Sequence, residues 1–230
     1  MEPGTRHKIH ADKFRTPAVC QPPEVGYAVQ DVPMLADTLN RVGDLAKTLG
    51  HRLTMHPGQF CQLASVKESI FHNAVRELRY HCDVLSTIGL GKDSVMIIHM
   101  GGMYGDKQAT LDRFVDRWPS VPPDIRERIV LENDELCYSV ADLLPVCEKL
   151  EIPLVLDWHH AAINPSVNPP EVDWPRIRAI WDRRGIRPKQ HYSESREGAT
   201  TIMERRAHSK RVSGFPPGGR RGRRHDRGQR

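Results

Sequence analysis

Apolar positions along this 230-residue chain fall into a repeating unit, a short apolar run followed by a longer segment with apolar residues at helical spacing. A helix is predicted first over Asp31–Leu49, where Met34, Leu35, Leu39, Val42, Leu45, Ala46 and Leu49 share one face and Gly50 provides the stop. Strands are then predicted at Arg52–Met55, Ser94–Ile98, Ile129–Leu131 and Leu154–Leu156, the last opened by Pro153, with a polar strand at Lys189–Tyr192. Between them lie helical patterns over Ser65–Ile88, Lys107–Trp118, Val140–Leu150 and Trp174–Trp181. The first thirty residues, rich in Pro, Lys and His, show no sustained period and are read as irregular.

Continuous apolar strands alternating with amphipathic helices predict parallel pairing, with each strand covered by a helix. A TIM-type (β/α) barrel and an open doubly wound sheet both fit. No Gly-rich phosphate fingerprint follows any strand, which favours the barrel. Such a barrel needs eight strands and the pattern supplies about five, so it is expected to be incomplete, lacking terminal strands. The expected organisation is an irregular segment at 1–30, a partial barrel at 31–212 and an Arg/Gly-rich tail at 213–230 that cannot build a core and is expected to be disordered.

Charge changes this picture only after it is located. The net charge is +5 and the pI about 9.0. Ten of the 34 Lys and Arg residues, but one of the 29 acids, lie between Arg205 and Arg230, so the rest holds 24 basic and 28 acidic residues. The basic character belongs to the tail, and is weak evidence for nucleic-acid binding by the folded body. A mean hydropathy of −0.55 and the lack of any run of about 18 apolar residues argue against a membrane helix. No apolar segment at the N-terminus resembles a secretory signal. The five cysteines, with no CxxC pair, suggest reduced thiols inside a cell.

The candidate chemistry sits at the strand ends. His56 follows the first predicted strand in HPGQF, His99 the second in HMGG, and Glu132 the third in LEND. Asp157 and His160 follow the fourth in DWHH, and Lys189 and His191 flank the last in PKQHYS. In a parallel barrel all these ends converge on one face, where sites on this fold are built. A single histidine after a strand is usually a hydrogen-bonded loop residue. Five consecutive strands that each deliver a His, Asp or Glu point to metal ligation. Without a thiolate, Mn²⁺, Fe²⁺ or Zn²⁺ suits the set, and more than four candidates imply at least two ions. Clustered divalent ions suit phosphodiester hydrolysis, because they can hold the attacking and leaving oxygens together.

The flanks add detail. Pro57 and Gly58 force a turn that projects Gln59 and Phe60 over the site, as a probe of bases or else as part of a packed loop. Gly101 and Gly102 allow close backbone approach, and Tyr104 is a candidate substrate contact. Lys189 is open to three readings: a phosphate contact, a carboxylated lysine bridging two ions, or a surface lysine. His159 is expected to point away from its neighbour His160 or to support it from behind, and His208 to stand at the rim. His7, His10, His51, His72, His81 and His225 have no strand-end placement and are taken as ordinary.

The five motifs, in this order and spacing from about Asp31 to Arg211, resemble the UV-damage endonuclease family. The resemblance implies a TIM barrel related to apurinic-endonuclease and xylose-isomerase-like folds, a metal cluster of manganese (zinc being the alternative) and incision of damaged double-stranded DNA 5′ to UV photoproducts. It implies His56, His99, Glu132, Asp157, His160 and His191 as metal ligands. It further implies Lys189 at the place of a modified catalytic lysine, Gln59 and Phe60 as the pair that probes the duplex, and His208 as a further active-site histidine. A monomer is expected, acting inside the cell: in nucleus or mitochondrion if eukaryotic, in the cytoplasm if bacterial. Two alternatives remain on the sequence: a sugar isomerase or epimerase on the same barrel, and an inactive remnant whose tail binds nucleic acid.

Overall fold

The computed structural model describes residues 8–10 and 33–214. Six strands form one sheet in the order β1 to β6: β1 Lys8–His10, β2 Thr54–His56, β3 Met96–His99, β4 Ile129–Glu132, β5 Leu154–Asp157 and β6 Gln190–His191. Every pair is parallel. The helices are α1 Pro33–Thr48, α2 Glu68–Thr87, α3 Lys107–Arg117, α4 Pro123–Arg126, α5 Val140–Leu150, α6 Trp158–Ile163, α7 Pro170–Arg183 and α8 Ile202–Arg205. Strands neighbouring in sequence are neighbours in space throughout. That is the order of a barrel wall; a doubly wound sheet reverses its order at a switch point.

Curvature settles the class. His56 on β2 and His191 on β6 are four strand positions apart, which in a flat sheet is roughly 19 Å. Their rings lie with centroids 6.2 Å apart. The sheet is therefore curled, and the architecture is an incomplete TIM-type barrel with six of the eight strands of a closed one.

The strands form because their residues suit burial on both faces. All four residues of β4 and of β5 are buried, as Met96, Ile97 and Ile98 are in β3. Helices close over them with apolar stripes: Phe71, Ala74, Leu78 and Leu85 on α2, Leu143, Leu144 and Cys147 on α5. Trp181 of α7 is fully buried, and its indole N–H donates to the Leu154 carbonyl at 2.8 Å, tying helix to strand. At Gly43 of α1 an added Cβ would lie 1.8 Å from the Ile88 carbonyl oxygen, so only glycine allows α1 and the end of α2 to approach this closely. The four described cysteines are free thiols, and among the described residues no helix is long and apolar enough to cross a membrane.

Two differences from the sequence pattern bear on the site. Lys8–His10 is a strand within a segment read as irregular; KIH is too short and polar to show a period, and its pairing with β2 gives it away. His10 consequently has a strand-end position after all, in register with His56. α6 occupies what reads as a loop, because Asp157 caps it by accepting from the His160 amide at 2.9 Å. The rest of segment 1–30 and the disorder expected of residues 215–230 lie outside the described residues.

The two ends of the sheet are built differently. At the N-terminal ends of the strands, arginines donate to loop carbonyls: Arg128 to Leu90, Gly91 and Ser94 at 3.0 to 3.1 Å, Arg52 to Asp93 and Arg187, Arg184 to Glu127 and Glu151. This end serves stability. Replacing Arg128 with Ala is expected to lower unfolding free energy by about 1.5–3 kcal/mol in urea titration. A loss under about 0.5 kcal/mol, the size usual for a neutral surface substitution, would show that the staple is ornamental.

Candidate metal centre

At the C-terminal ends, parallel register does the positioning. His99 stands level with Glu132 on adjacent strands, and Asp157 level with His191. Glu132 is the centre, only 1% exposed. Its Oε2 lies 2.9 Å from His56 Nε2 and 3.6 Å from His99 Nε2. Its Oε1 lies 2.5 Å from His191 Nδ1 and 4.0 Å from His160 Nδ1. Asp157 Oδ2 is 3.8 Å from both His191 Nδ1 and His160 Nδ1. Two groups of three ligand atoms result, His56–His99–Glu132 and Glu132–Asp157–His191, each within 4.8 Å, sharing the one glutamate.

Burial alone would push the Glu132 carboxyl up. The His191, His56 and His99 imidazoles around it outweigh that and hold it well below the usual carboxylate range. Burial pushes His99 down, His56 and His160 add to the shift, and the negative charges of Glu132 and Asp134 oppose it. His99 is thereby kept in the neutral form that metals bind.

These residues fit a divalent cation on three observations. His99 Nδ1 is buried without a hydrogen-bond partner. His56 Nδ1 is 3.2 Å from the Pro57 carbonyl, which can only accept. That leaves Nε2 facing the Glu132 carboxylate, where a proton or a cation has to lie between them. His160 repeats the arrangement: Nδ1 donates to the Asn133 carbonyl at 2.9 Å, and Nε2 faces Glu135 Oε2 at 3.7 Å. His160 belongs to neither three-ligand group but shares their cavity.

The residues that brace the candidate ligands were not singled out in the sequence. Asn133 is fully buried and clasps Asp157 from both sides, its Nδ2 donating to the carbonyl at 3.0 Å and its Oδ1 accepting from the amide at 2.8 Å. It thus fixes β4 against β5 at the level of the ligands. Asp134 accepts from the amides of Leu136, Cys137 and Tyr138 and shapes the next loop. Glu135 is paired with Arg206, Nη2 to Oε1 at 2.7 Å. Asn and Asp directly after a strand-end Glu were the available signal for the first two. No sequence signal links positions 135 and 206.

A cavity of about 600 Å³ opens over the centre, lined among others by His56, His99, Glu132, Asp157 and His160. Gln59 and Phe60 stand at its mouth, Phe60 being 69% exposed, so the ring does not pack into a loop cluster. Tyr104 lies beside the cavity rather than in its lining, its hydroxyl donating to Gln62 Oε1. Gly101 adopts φ 97, and a Cβ there would come within 3.0 Å of Gln62, so glycine is required. Lys189 is buried just ahead of β6, which removes the surface-lysine reading. His208 lines the cavity, with Nδ1 2.6 Å from Ser193 Oγ. His159 is buried behind His160, donating from Nε2 to the Arg205 carbonyl at 2.8 Å and touching the His208 ring edge-on. It supports the site as expected and does not enter it.

The comparisons with known proteins agree. Residues 14–221 match the family described as UV-endonuclease UvdE. The UV-damage endonuclease of Schizosaccharomyces pombe is 49% identical over 189 residues, covering 78% of this chain and 32% of that protein. The crystal structure of SacUVDE superposes with a TM-score of 0.70 at 31% identity, over 78% of this chain and 59% of that one. Endonuclease IV from Thermus thermophilus has a TM-score of 0.51 at 16% identity, over 78% of this chain and 64% of that chain, a likeness of fold alone. The chain therefore spans less than two thirds of the length of each of these relatives, and it belongs to the UV-endonuclease UvdE family.

Proposed function

We propose that this chain carries the metal centre of an endonuclease that incises double-stranded DNA 5′ to UV photoproducts inside the cell. The observation that carries the reading is one buried glutamate shared by two ligand groups beneath an open mouth with an exposed Gln–Phe pair. His56, His99, Glu132, Asp157 and His191 would hold the ions, with His160 as a further ligand, and manganese suits this nitrogen and oxygen set, as zinc also would. When bound, such ions supply Lewis-acid stabilisation of the charge that develops on the phosphodiester.

The rest falls to the chain. Phe60 offers a ring for base stacking, and Gln59 an amide for a base edge. His208, held by Ser193 at the rim, can receive or return a proton at the scissile phosphate. Lys189, buried beside His191, acts either as a phosphate contact or in carboxylated form. Both roles rest on position and chemistry. Tyr104 would act through Gln62, at one remove from substrate.

Two measurements test this. Ultraviolet-irradiated plasmid incubated with the chain and Mn²⁺ should be nicked, and unirradiated plasmid spared. Because even outer-shell partners are worth about 10–100-fold, His99→Ala should lower nicking at least about 100-fold; equal nicking by the variant would overturn the ligand assignment. Thermal unfolding gives the second. A cation at 100 times its Kd should add about 2.7 kcal/mol of stability, and Glu132→Gln should remove most of that gain. A variant that gains as much as native protein would mean that the ions bind elsewhere.

A further inference from the structure

The loop after β4 contains a side chain that the metal centre does not use. Leu136 is 52% exposed yet lines the same cavity as the ligands. Its backbone is not loose. The Asp134 carboxylate accepts from the amides at 136, 137 and 138, and the Asp134 amide donates to the Tyr138 carbonyl at 2.9 Å. The Tyr138 side chain is fully buried, with its hydroxyl donating to the Gly102 carbonyl at 3.3 Å. Asn164 holds the Asp134 carbonyl at 3.1 Å. A loop fastened at so many points presents its one large apolar side chain outward in a fixed place.

The setting selects what that side chain can meet. The loop 133–139 contains no Lys or Arg, and the nearby Arg206 is paired with Glu135, so the loop has no cation of its own to offer a phosphate. It presents an aliphatic surface, suited to the uncharged face of a base. On the far side of β3, Phe60 is more exposed still, at 69%. Between the two loops lie Gly101 and Gly102, which line the cavity, with Gln62 against the first and the Tyr104 ring against the second. The mouth is thus a glycine floor flanked by two apolar posts, one aromatic and one aliphatic.

We infer that Leu136 is a second wedge for damaged DNA, packing against a base face on the side of the glycine floor away from Phe60. The inference rests on the lesion-DNA reading above and adds to it a residue that reads substrate distortion. Apolar side chains inserted beside base steps unstack them, and the insertion stabilises the deformed duplex over the regular one.

The test uses the whole chain without added divalent ions, so that no strand is cut, and a duplex with 2-aminopurine beside a single cyclobutane pyrimidine dimer. Native protein should raise the fluorescence several-fold as the base unstacks. Leu136→Ala and Leu136→Asn should reach less than half of that rise at saturation and bind the damaged duplex about fivefold more weakly, in keeping with the loss of one stacking contact. Leu136→Met should keep both. Melting temperatures of the variants should match native protein, since the side chain is half in solvent. A full rise with Leu136→Ala overturns the wedge. A native chain that gives no rise and binds damaged and undamaged duplexes equally overturns the lesion-DNA reading itself, and the wedge with it.

Discussion

A carboxylate buried to 1% exposure, as Glu132 is, cannot stay charged on its own in a protein interior. Its compensation comes from imidazoles on β2, β3, β6 and α6, none of them close in sequence. Each arrives only because the sheet is curled: β2 and β6 would otherwise stand roughly 19 Å apart, and their histidines are at 6.2 Å between ring centroids. Curvature and site are therefore one constraint. A sheet that flattened would strand the carboxylate, and a carboxylate without its ring of imidazoles would leave little reason for the polar ends of the strands to converge.

The same constraint divides the molecule. Below the sheet, guanidinium groups hold loop carbonyls, and nothing there resembles a ligand set among the described residues. Above it, stiffening is provided by short polar side chains acting on the backbone: Asn133 between strands, Asp134 within its loop, Asp157 at the start of α6. Because those contacts are made through backbone atoms, the side chains between them remain available to face the cavity. Exposure of Phe60 and Leu136 at the mouth is compatible with a rigid frame for this reason.

Much of this was legible in the chain. SVMII announces β3 because β-branched and long apolar residues run together, and most of the candidate ligands could be named because they follow such runs. What escaped has identifiable causes. KIH carries too little apolar content to signal a strand. The prolines at 169 and 170 hide the start of α7, although proline is well tolerated in a first helical turn. α6 depends on a cap from a residue already assigned to a strand and a metal. The Glu135–Arg206 pair spans 71 positions, a separation over which no local pattern carries information. His159 was separable from His160 because only one of two adjacent histidines can face inward, which the burial of the first behind the second bears out.

Family membership explains why the ligand motifs occur together, and the geometry explains why they need each other. The central claim is that Glu132 bridges two cation positions. Anomalous X-ray scattering from crystals of the chain grown with Mn²⁺ tests it most directly. Two peaks are predicted, one contacted by His56, His99 and Glu132 and the other by Glu132, Asp157 and His191. Peaks confined to other residues, or a single ion that leaves Glu132 untouched, would contradict it.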